Sequence, residues 1–98
     1  MESKELIRCL HLMADTIDDL EITDILSCDI DNSMNMSIHL YELTLSGIDA
    51  TWTERLDCKY KWEKAFVYNN IKFYAIYTEE GYNEEKKYAT NQTKSWNL

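Results

Sequence analysis

The sequence predicts a small α+β domain in which an N-terminal helix packs on a four-stranded antiparallel sheet made of two hairpins. Three observations support this fold class. Apolar residues recur every three or four positions near the N-terminus, they alternate with polar residues after position 33, and a pair of asparagines divides a later aromatic-rich segment. These spacings are the periods of a helix, a half-buried strand and a tight hairpin turn.

The predicted helix starts just after Ser3, its expected cap, and ends between Asp15 and Asp19. Its apolar positions follow steps of four, three and four residues, which places them on one face. That face consists of Leu6, Leu10, Met13 and Ile17, widened by Ile7 and Ala14. The Ser3 hydroxyl is expected to cap the first turn, and the aspartates are expected to end the helix because their side chains compete for backbone hydrogen bonds.

The first predicted hairpin occupies residues 25–41. We expect a strand from Ile25 to Asp31 and then a turn through Ser33, because Asp, Asn and Ser side chains readily bond to the backbone of a turn. The returning strand alternates apolar and polar residues, with Met34, Met36, Ile38 and Leu40 on one side. Residues 42–58 have no clear period, and we interpret them as a connection that contains a short helical turn.

Residues 59–78 form the second predicted hairpin, with Asn69 and Asn70 at its turn. Asparagine tolerates the positive φ that both central positions of a type I′ turn require. Folding the chain about this pair places Tyr68 opposite Ile71, Phe66 opposite Phe73, Lys64 opposite Ala75 and Trp62 opposite Tyr77. The reverse side carries Val67, Ala65, Tyr74 and Ile76. One helix covers only one side, so the other needs cover from residues 42–58, from the tail or from another subunit.

The domain is predicted to span residues 1–80, followed by a polar tail over residues 81–98. From position 79 onward the chain is rich in Glu, Lys, Asn, Gln and Thr and has no apolar period. We expect this tail to fray. Trp96, close to its end, is a candidate for docking in an exposed groove.

Length and composition predict one domain, and the N-terminus and the cysteines predict a cytoplasmic protein. The chain has 98 residues, 45% of them hydrophobic, with no proline and two glycines, which indicates one core and mostly regular structure. No segment approaches the ~18 apolar residues of a membrane span, and the charged N-terminus lacks the order of a signal peptide. Cys9, Cys28 and Cys58 are an odd number at wide spacings, which predicts reduced and mostly buried thiols.

No residue pattern predicts catalysis, a metal ion or a cofactor. Structural zinc sites need paired ligands at close spacing, and Cys9 and His11 would point about 200° apart on a helix. Cys58 beside Lys59 is the strongest candidate nucleophile, but no motif places a histidine next to it. We therefore expect a protein that is not an enzyme.

Acidic residues are concentrated in the first third of the chain. Residues 1–31 carry nine acidic and two basic residues, so they hold −7 of the net charge of −8. Residues 15–31 contain seven acids and no base: Asp15, Asp18, Asp19, Glu21, Asp24, Asp29 and Asp31. This pattern is typical of a solvated face, and it also suits a basic protein partner, because Lys and Arg bind carboxylates as they bind phosphates. The same charge disfavours direct binding of duplex nucleic acid.

A second candidate surface comes from the second hairpin and could bind a ligand or another subunit. Its residues are Tyr60, Trp62, Tyr74, Ile76 and Tyr77. Lysines interleave with aromatic residues from position 59 to 64, a pattern that single-strand nucleic-acid binders use. An amphipathic strand with its lysines in water is the ordinary interpretation. A nucleotide-like molecule stacked on the rings is the alternative, and a homodimer or higher oligomer is compatible with both.

The order of these elements resembles short proteins of Gram-positive phages and prophages. The resemblance lies in the acidic helix, in the Ile38-His39-Leu40 strand and in the segment Phe66–Tyr74. It implies an accessory protein that blunts bacterial defence, either of the anti-CRISPR type or as a sponge for immune signals, and it assigns no role to any residue.

Our leading hypothesis is a non-catalytic inhibitor that binds a bacterial host protein through the acidic face. One alternative is an oligomeric sponge that holds a nucleotide-like signal in aromatic pockets between subunits. The other is a structural or assembly protein that dimerises through its sheet.

Overall fold

The computed structural model describes residues 1–45 and 48–96, with side chains described as far as residue 87. In chain order the described elements are α1 (Ser3–Leu20), β1 (Ile25–Ile30), β2 (Met36–Leu40), β3 (Thr51–Glu54), β4 (Trp62–Tyr68), β5 (Ile71–Tyr77) and α2 (Glu79–Trp96). The predicted α+β class and the N-terminal helix are confirmed.

The strands form one five-stranded mixed sheet in the order β1-β2-β5-β4-β3. The prediction of four antiparallel strands is wrong in two respects, because β3 is an additional strand and β2 pairs with β5 in parallel. After β2 the chain crosses the sheet to β3 at the far edge and then returns through β4 to β5. Strand β5 therefore lies beside β2 and runs in the same direction. Met36 lies opposite Ile71 and Ile38 opposite Phe73 along this central pair.

The hairpin of β4 and β5 has the predicted register. Phe66 pairs with Phe73 and Tyr68 with Ile71, and the pairing continues to the far end of both strands. Asn69 and Asn70 have φ values of 53° and 62°, the left-handed conformation that a type I′ turn requires at both positions. The two asparagines therefore set the register of the whole hairpin.

The first hairpin also forms where it was predicted, with β1 antiparallel to β2. Asp31 builds its turn: Oδ1 accepts hydrogen bonds from the backbone N–H groups of Ser33 at 2.8 Å and Asn35 at 2.9 Å, and Oδ2 accepts one from the Asn35 amide at 2.9 Å. The register shifts between Ile25 and Ser27, which marks a β-bulge near the start of β1.

Residues 42–58 contain the strand that the sequence analysis missed. Thr51–Glu54 pairs with β4, and Trp52 lies opposite Lys64. The short helical turn expected here is absent from residues 42–45 and 48–58, and Gly47 lies outside the described residues. A four-residue strand is too short to show a period of two against its flanks, and the pairing with β4 is what defines it.

Helix α1 packs on the sheet through Cys9, Met13 and Thr16, which follow steps of four and three residues on one face. The predicted stripe is rotated from this contact, because Leu6, Ile7 and Leu10 are 38%, 52% and 51% exposed. The apolar arc of the helix is wider than the strip of sheet it covers, and spacing alone does not show which part of a wide arc is buried.

The start of α1 also differs from the prediction in its cap. Glu2 is the N-cap, and its backbone N–H donates to Oε1 of Glu5 at 3.4 Å, whereas Ser3 is already the first helical residue. The helix ends at Leu20, one residue beyond the predicted range.

The core lies between α1 and one face of the sheet, which we call the helix face. Every buried strand residue points to this side: Met36, Ile38, Leu40, Phe66, Ile71, Phe73 and Ala75. Leu43 and partly buried residues of the 45–50 connection pack against the same cluster. The opposite side, which we call the open face, carries no buried residue, and no described element covers it.

The segment expected to be a fraying polar tail forms helix α2 instead. It follows β5 directly, and Oγ1 of Thr78 accepts a hydrogen bond from the Gly81 N–H at 3.1 Å in its first turn. Glu79 and Glu80 lie in that turn, where the helix dipole favours acids. The expected role of Trp96 concerns a side chain outside the described ones, and the division into residues 1–80 and 81–98 stays a prediction.

Candidate partner-binding surface

Asp15, Asp18 and Asp19 occupy the last two turns of α1, and all three are exposed. The last turn contains no basic residue. Carboxylates near the C-terminal end of a helix face the negative end of its dipole, which costs about 0.3–1 kcal/mol each in exposed positions. Two of the seven predicted acidic residues, Asp18 and Asp19, therefore lie in the last turn of α1, where local helix electrostatics disfavour them.

The acidic surface continues from α1 into the connection to β1. Glu21 is the C-cap, with φ of 52°, and its N–H donates to the carbonyl of Asp18 at 3.2 Å. Asp24 has φ of 59°, and its carbonyl accepts a hydrogen bond from Tyr41 N–H at 3.0 Å. Aspartate tolerates the left-handed conformation better than most residues, whereas Glu21 adopts it as the residue that ends α1. The backbone fixes both positions while both side chains stay exposed.

The last two predicted residues lie apart from the helix. Asp29 is opposite Ser37 on β2 and therefore points to the open face, away from α1. Asp31 is in the turn, where hydrogen bonds from Asn35 and Ser33 lower the pKa of its carboxyl below 3.8. Its carboxylate keeps its charge at neutral pH while it holds the turn.

No described basic side chain neutralises this surface. The two salt bridges among the described side chains join Lys64 to Glu85 and Lys72 to Glu63, each at 3.1 Å. Neither involves any of the seven acidic residues. We define the acidic surface as the exposed helical and connecting residues Asp15, Asp18, Asp19, Glu21 and Asp24.

The predicted aromatic surface is divided between the two faces of the sheet. Tyr74 and Ile76 point to the open face, whereas Trp62 and Tyr77, opposite each other in the hairpin, point to the helix face. Tyr60 precedes β4, with Lys59 Nζ 5.4 Å from its ring centroid. The five residues therefore do not form one binding surface, because successive strand residues alternate between faces.

Trp62 and Tyr77 belong to a cluster that holds α2 against the helix face. Tyr82 of α2 stacks on Trp62, with ring centroids 3.9 Å apart and an interplanar angle of 7°. Trp52 of β3 meets Tyr82 at 4.9 Å and Tyr77 at 5.1 Å, both edge to face. The Trp62 Nε1–H donates to Oε2 of Glu79 at 2.9 Å.

Polar contacts complete the attachment of α2. Lys64 Nζ donates to Oε2 of Glu85 at 3.1 Å and to the carbonyl of Leu43 at 2.9 Å. Tyr77 OH accepts the Leu43 N–H at 2.9 Å. Neither Trp52 nor Tyr82 is among the predicted site residues, and the available signal was that aromatic residues recur before and after the second hairpin.

The open face carries a second group of residues that the sequence analysis did not bring together. The rings of His39 and Tyr74 stack with centroids 4.6 Å apart and an angle of 6°. Lys72 Nζ is 5.3 Å from the Tyr74 centroid and pairs with Glu63. Nε2 of His39 is buried without a hydrogen-bond partner among the described residues. Val67, on the same face, is 69% exposed.

The cysteine thiols and the potential metal ligands do not form a common site within the described residues. Cys9 is buried, but Cys28 and Cys58 are exposed, so the prediction of mostly buried thiols is wrong. Within residues 1–45 and 48–96, no three His, Cys, Asp or Glu side chains are grouped as a metal ion would require. In the same residues neither helix has the length and apolar character to cross a membrane.

Comparison of the chain with protein-family models, with curated proteins and with solved structures gave no match. The geometry of the acidic surface and of the open face is therefore the evidence on which a function is proposed.

Proposed function

We propose that this protein is a non-catalytic binding protein whose acidic surface engages a basic surface of another protein. The observation that carries the proposal is the run of unpaired carboxylates at the negative end of α1. Asp18, Asp19 and Glu21 lie within four consecutive positions there. Features that break a local stability rule without compensation are expected mainly at functional sites.

The charges of the acidic surface are balanced differently in the free and bound states. In the free protein the carboxylates oppose the dipole of α1 and one another. Lys or Arg side chains of a partner would relieve both effects and would form charge-assisted hydrogen bonds. Because the acidic residues are exposed, the attraction acts at a distance of about a Debye length and speeds association.

The resemblance to small phage and prophage proteins supports a narrower version of this proposal. In that version the partner is a bacterial host defence protein, and occupation of its basic surface inhibits it. A nucleic-acid-binding site is the kind of basic surface that a row of carboxylates would compete for.

The test is capture from a bacterial lysate, followed by binding measurements with the purified partner. Asp18→Lys, Asp19→Lys and Glu21→Lys together are expected to abolish capture, and wild-type affinity is expected to fall steeply with added salt. The control is Glu42→Lys, Glu54→Lys and Glu84→Lys, which changes the net charge equally at exposed positions elsewhere. Capture that survives the first set, or that both sets abolish alike, would contradict the proposal.

The open face favours a second candidate function. Tyr74 and His39 offer stacked rings beside Lys72, which suits a planar anionic molecule or the sheet of a second copy. Light scattering and mass spectrometry of bound small molecules test these alternatives. A strict monomer eliminates both a sponge with its pocket between subunits and a protein that dimerises through its sheet.

A further inference from the structure

Strand β1 is an open edge of the sheet. It is the first strand in the sheet order and pairs only with β2 among the described residues. Its four middle residues are exposed, and Leu26 is 58% exposed. Edge strands in soluble proteins are commonly protected by lysine, by proline or by a covering helix or loop. β1 contains neither Lys nor Pro, its one charged residue is Asp29, and its bulge affects only its first residues.

The register shows which backbone groups of β1 face outward. Asp31 N–H donates to the carbonyl of Asn35 at 3.1 Å, so Asp31 and Asn35 are a hydrogen-bonded pair. In an antiparallel ladder such pairs alternate, so Asp29 also bonds across to β2, as the pairing of Asp29 with Ser37 requires. The N–H and C=O groups of Cys28 and Ile30 therefore point away from β2, toward the uncovered side.

The charges around this edge favour one kind of occupant. Asp29 lies within β1, Asp24 precedes it and Asp31 follows it, and all three are exposed. Pairing with a second copy of β1 would bring these like charges together, which is unfavourable. An extended segment rich in Lys or Arg would meet complementary charge along the whole strand.

We propose that an extended basic segment of the partner adds to β1 as a sixth strand of the sheet. Main-chain hydrogen bonds to Cys28 and Ile30 would supply affinity, and the flanking aspartates would select basic side chains, as in other cases of strand addition. The basic character of the segment rests on the proposed function. The strand pairing rests on the edge geometry.

The experiment uses a labelled ten-residue peptide of alternating Lys and Val as the probe of the full-length protein. We expect saturable binding, with slowed hydrogen exchange at the amides of Cys28 and Ile30. A peptide of the same sequence with every backbone nitrogen methylated keeps the charge but has no N–H to donate, and it is expected to bind at least about tenfold more weakly. A Glu–Val peptide is expected not to bind.

Cys28→Pro removes one outward N–H without removing a bond to β2, and Cys28→Ala is its matched control. Proline is expected to weaken peptide binding by about tenfold, whereas alanine is expected to leave it within about twofold. Thermal unfolding shows whether the proline variant is folded. If it is not, the exchange pattern of the wild-type protein decides the question.

Absence of Lys–Val peptide binding, protection confined to α1, or unchanged affinity of folded Cys28→Pro would overturn the strand addition. Equal binding of the N-methylated peptide would overturn it as well. If capture of the partner is still lost in the variant with Asp18, Asp19 and Glu21 changed to Lys, the acidic surface acts by charge alone. The proposed function then stands without the sixth strand.

Discussion

Thr16 links α1 to the turn of the second hairpin. Its side chain is fully buried, donates to the carbonyl of Leu12 at 2.7 Å and accepts a hydrogen bond from Nδ2 of Asn69 at 3.3 Å. A buried polar group is stable only with such partners. Asn69 therefore serves two purposes, since its backbone makes the turn and its amide holds the helix.

Replacing Thr16 by valine tests this link. Thr16→Val keeps the shape but removes the hydroxyl that joins α1 to the exposed Asn69 amide, so we expect the free energy of unfolding to fall by about 0.5–1.5 kcal/mol. Urea denaturation measures the change. Thr16→Ser keeps the hydroxyl and serves as the control. A valine variant as stable as the wild-type protein would show that the bond contributes nothing.

Tyr77 predicts a dependence of stability on alkaline pH. Burial raises the pKa of its phenol from 10.0 to about 12. The unfolded chain loses this proton near pH 10, whereas the folded protein keeps it to about pH 12. The contribution of Tyr77 is therefore complete below pH 10 and is lost as the pH rises through 12.

Tyr77→Phe cannot ionise and is expected to lose this part of the alkaline decline in stability. Denaturation midpoints of both proteins across the alkaline range give the difference in slope. Ultraviolet titration of wild type minus Tyr77→Phe gives the pKa of this phenol directly, and a value near 10 would refute the argument.

The structural roles of some residues were predictable from the sequence, and those of others were not. Asn69 and Asn70 were predictable because a type I′ turn is a local demand on two adjacent φ angles. Asp31 was recognised as a turn residue for a similar reason. The burial of Thr16 was not predictable, because its partner lies 53 positions away and no local pattern marks a helix threonine as part of the core.

At the scale of the element, α1 combines an apolar contact with an unfavourable charge distribution. Asp18 and Asp19 lie against the negative end of its dipole, whereas Glu5 lies in the first turn, where an acid is favourable. The local preference of aspartate predicts that these residues end the helix. They instead lie within it, because packing of Met13 and Thr16 on the sheet outweighs their local preference.

Neutralising the aspartates is therefore expected to stabilise the protein. Asp18→Asn with Asp19→Asn should raise the free energy of unfolding by about 0.5–1 kcal/mol at low salt and less at high salt. Glu5→Gln should lower it. Chemical denaturation at two salt concentrations measures both effects. A shift of both variants in the same direction would show that the dipole does not govern stability here.

Helix α2 shows why an element can escape sequence analysis. Its own sequence is polar and lacks an apolar period, so nothing local distinguishes it from a tail. The stack of Tyr82 on Trp62 and the ion pair of Lys64 with Glu85 attach it to the sheet. Tertiary contacts of this kind provide most of the stability of helices in proteins.

At the scale of the whole molecule, stability is centred on the parallel pair of β2 and β5. Ile38, Ile71 and Phe73 are all fully buried, and all three lie on these strands. The sequence could show each hairpin but not how the two hairpins join, because pairing between distant strands leaves no local signal. The residues from Asp15 to Asp24 could be grouped from the sequence, because they follow one another along α1 and its connection to β1.

Truncation at this centre should be costly. Phe73→Ala is expected to lower the free energy of unfolding by about 3–5 kcal/mol, a large part of the ~5–15 kcal/mol typical of a domain. Val67→Ala, in the same hairpin but 69% exposed, should change it by less than about 0.5 kcal/mol. Urea denaturation compares the two. Equal losses would mean that the open face contributes to the core.

The parallel pairing of β2 with β5 also has a consequence for the order of folding. Each antiparallel half of the sheet closes through a short local turn, at Asp31 in one case and at Asn69 in the other, and such closures take microseconds. Pairing of β2 with β5 requires closure of the long loop between them, which is slower because it joins residues that are distant in sequence. During that delay Ile38 and Phe73 are exposed to solvent. Aggregation of newly made chains at high concentration is therefore most probable just before the two halves pair.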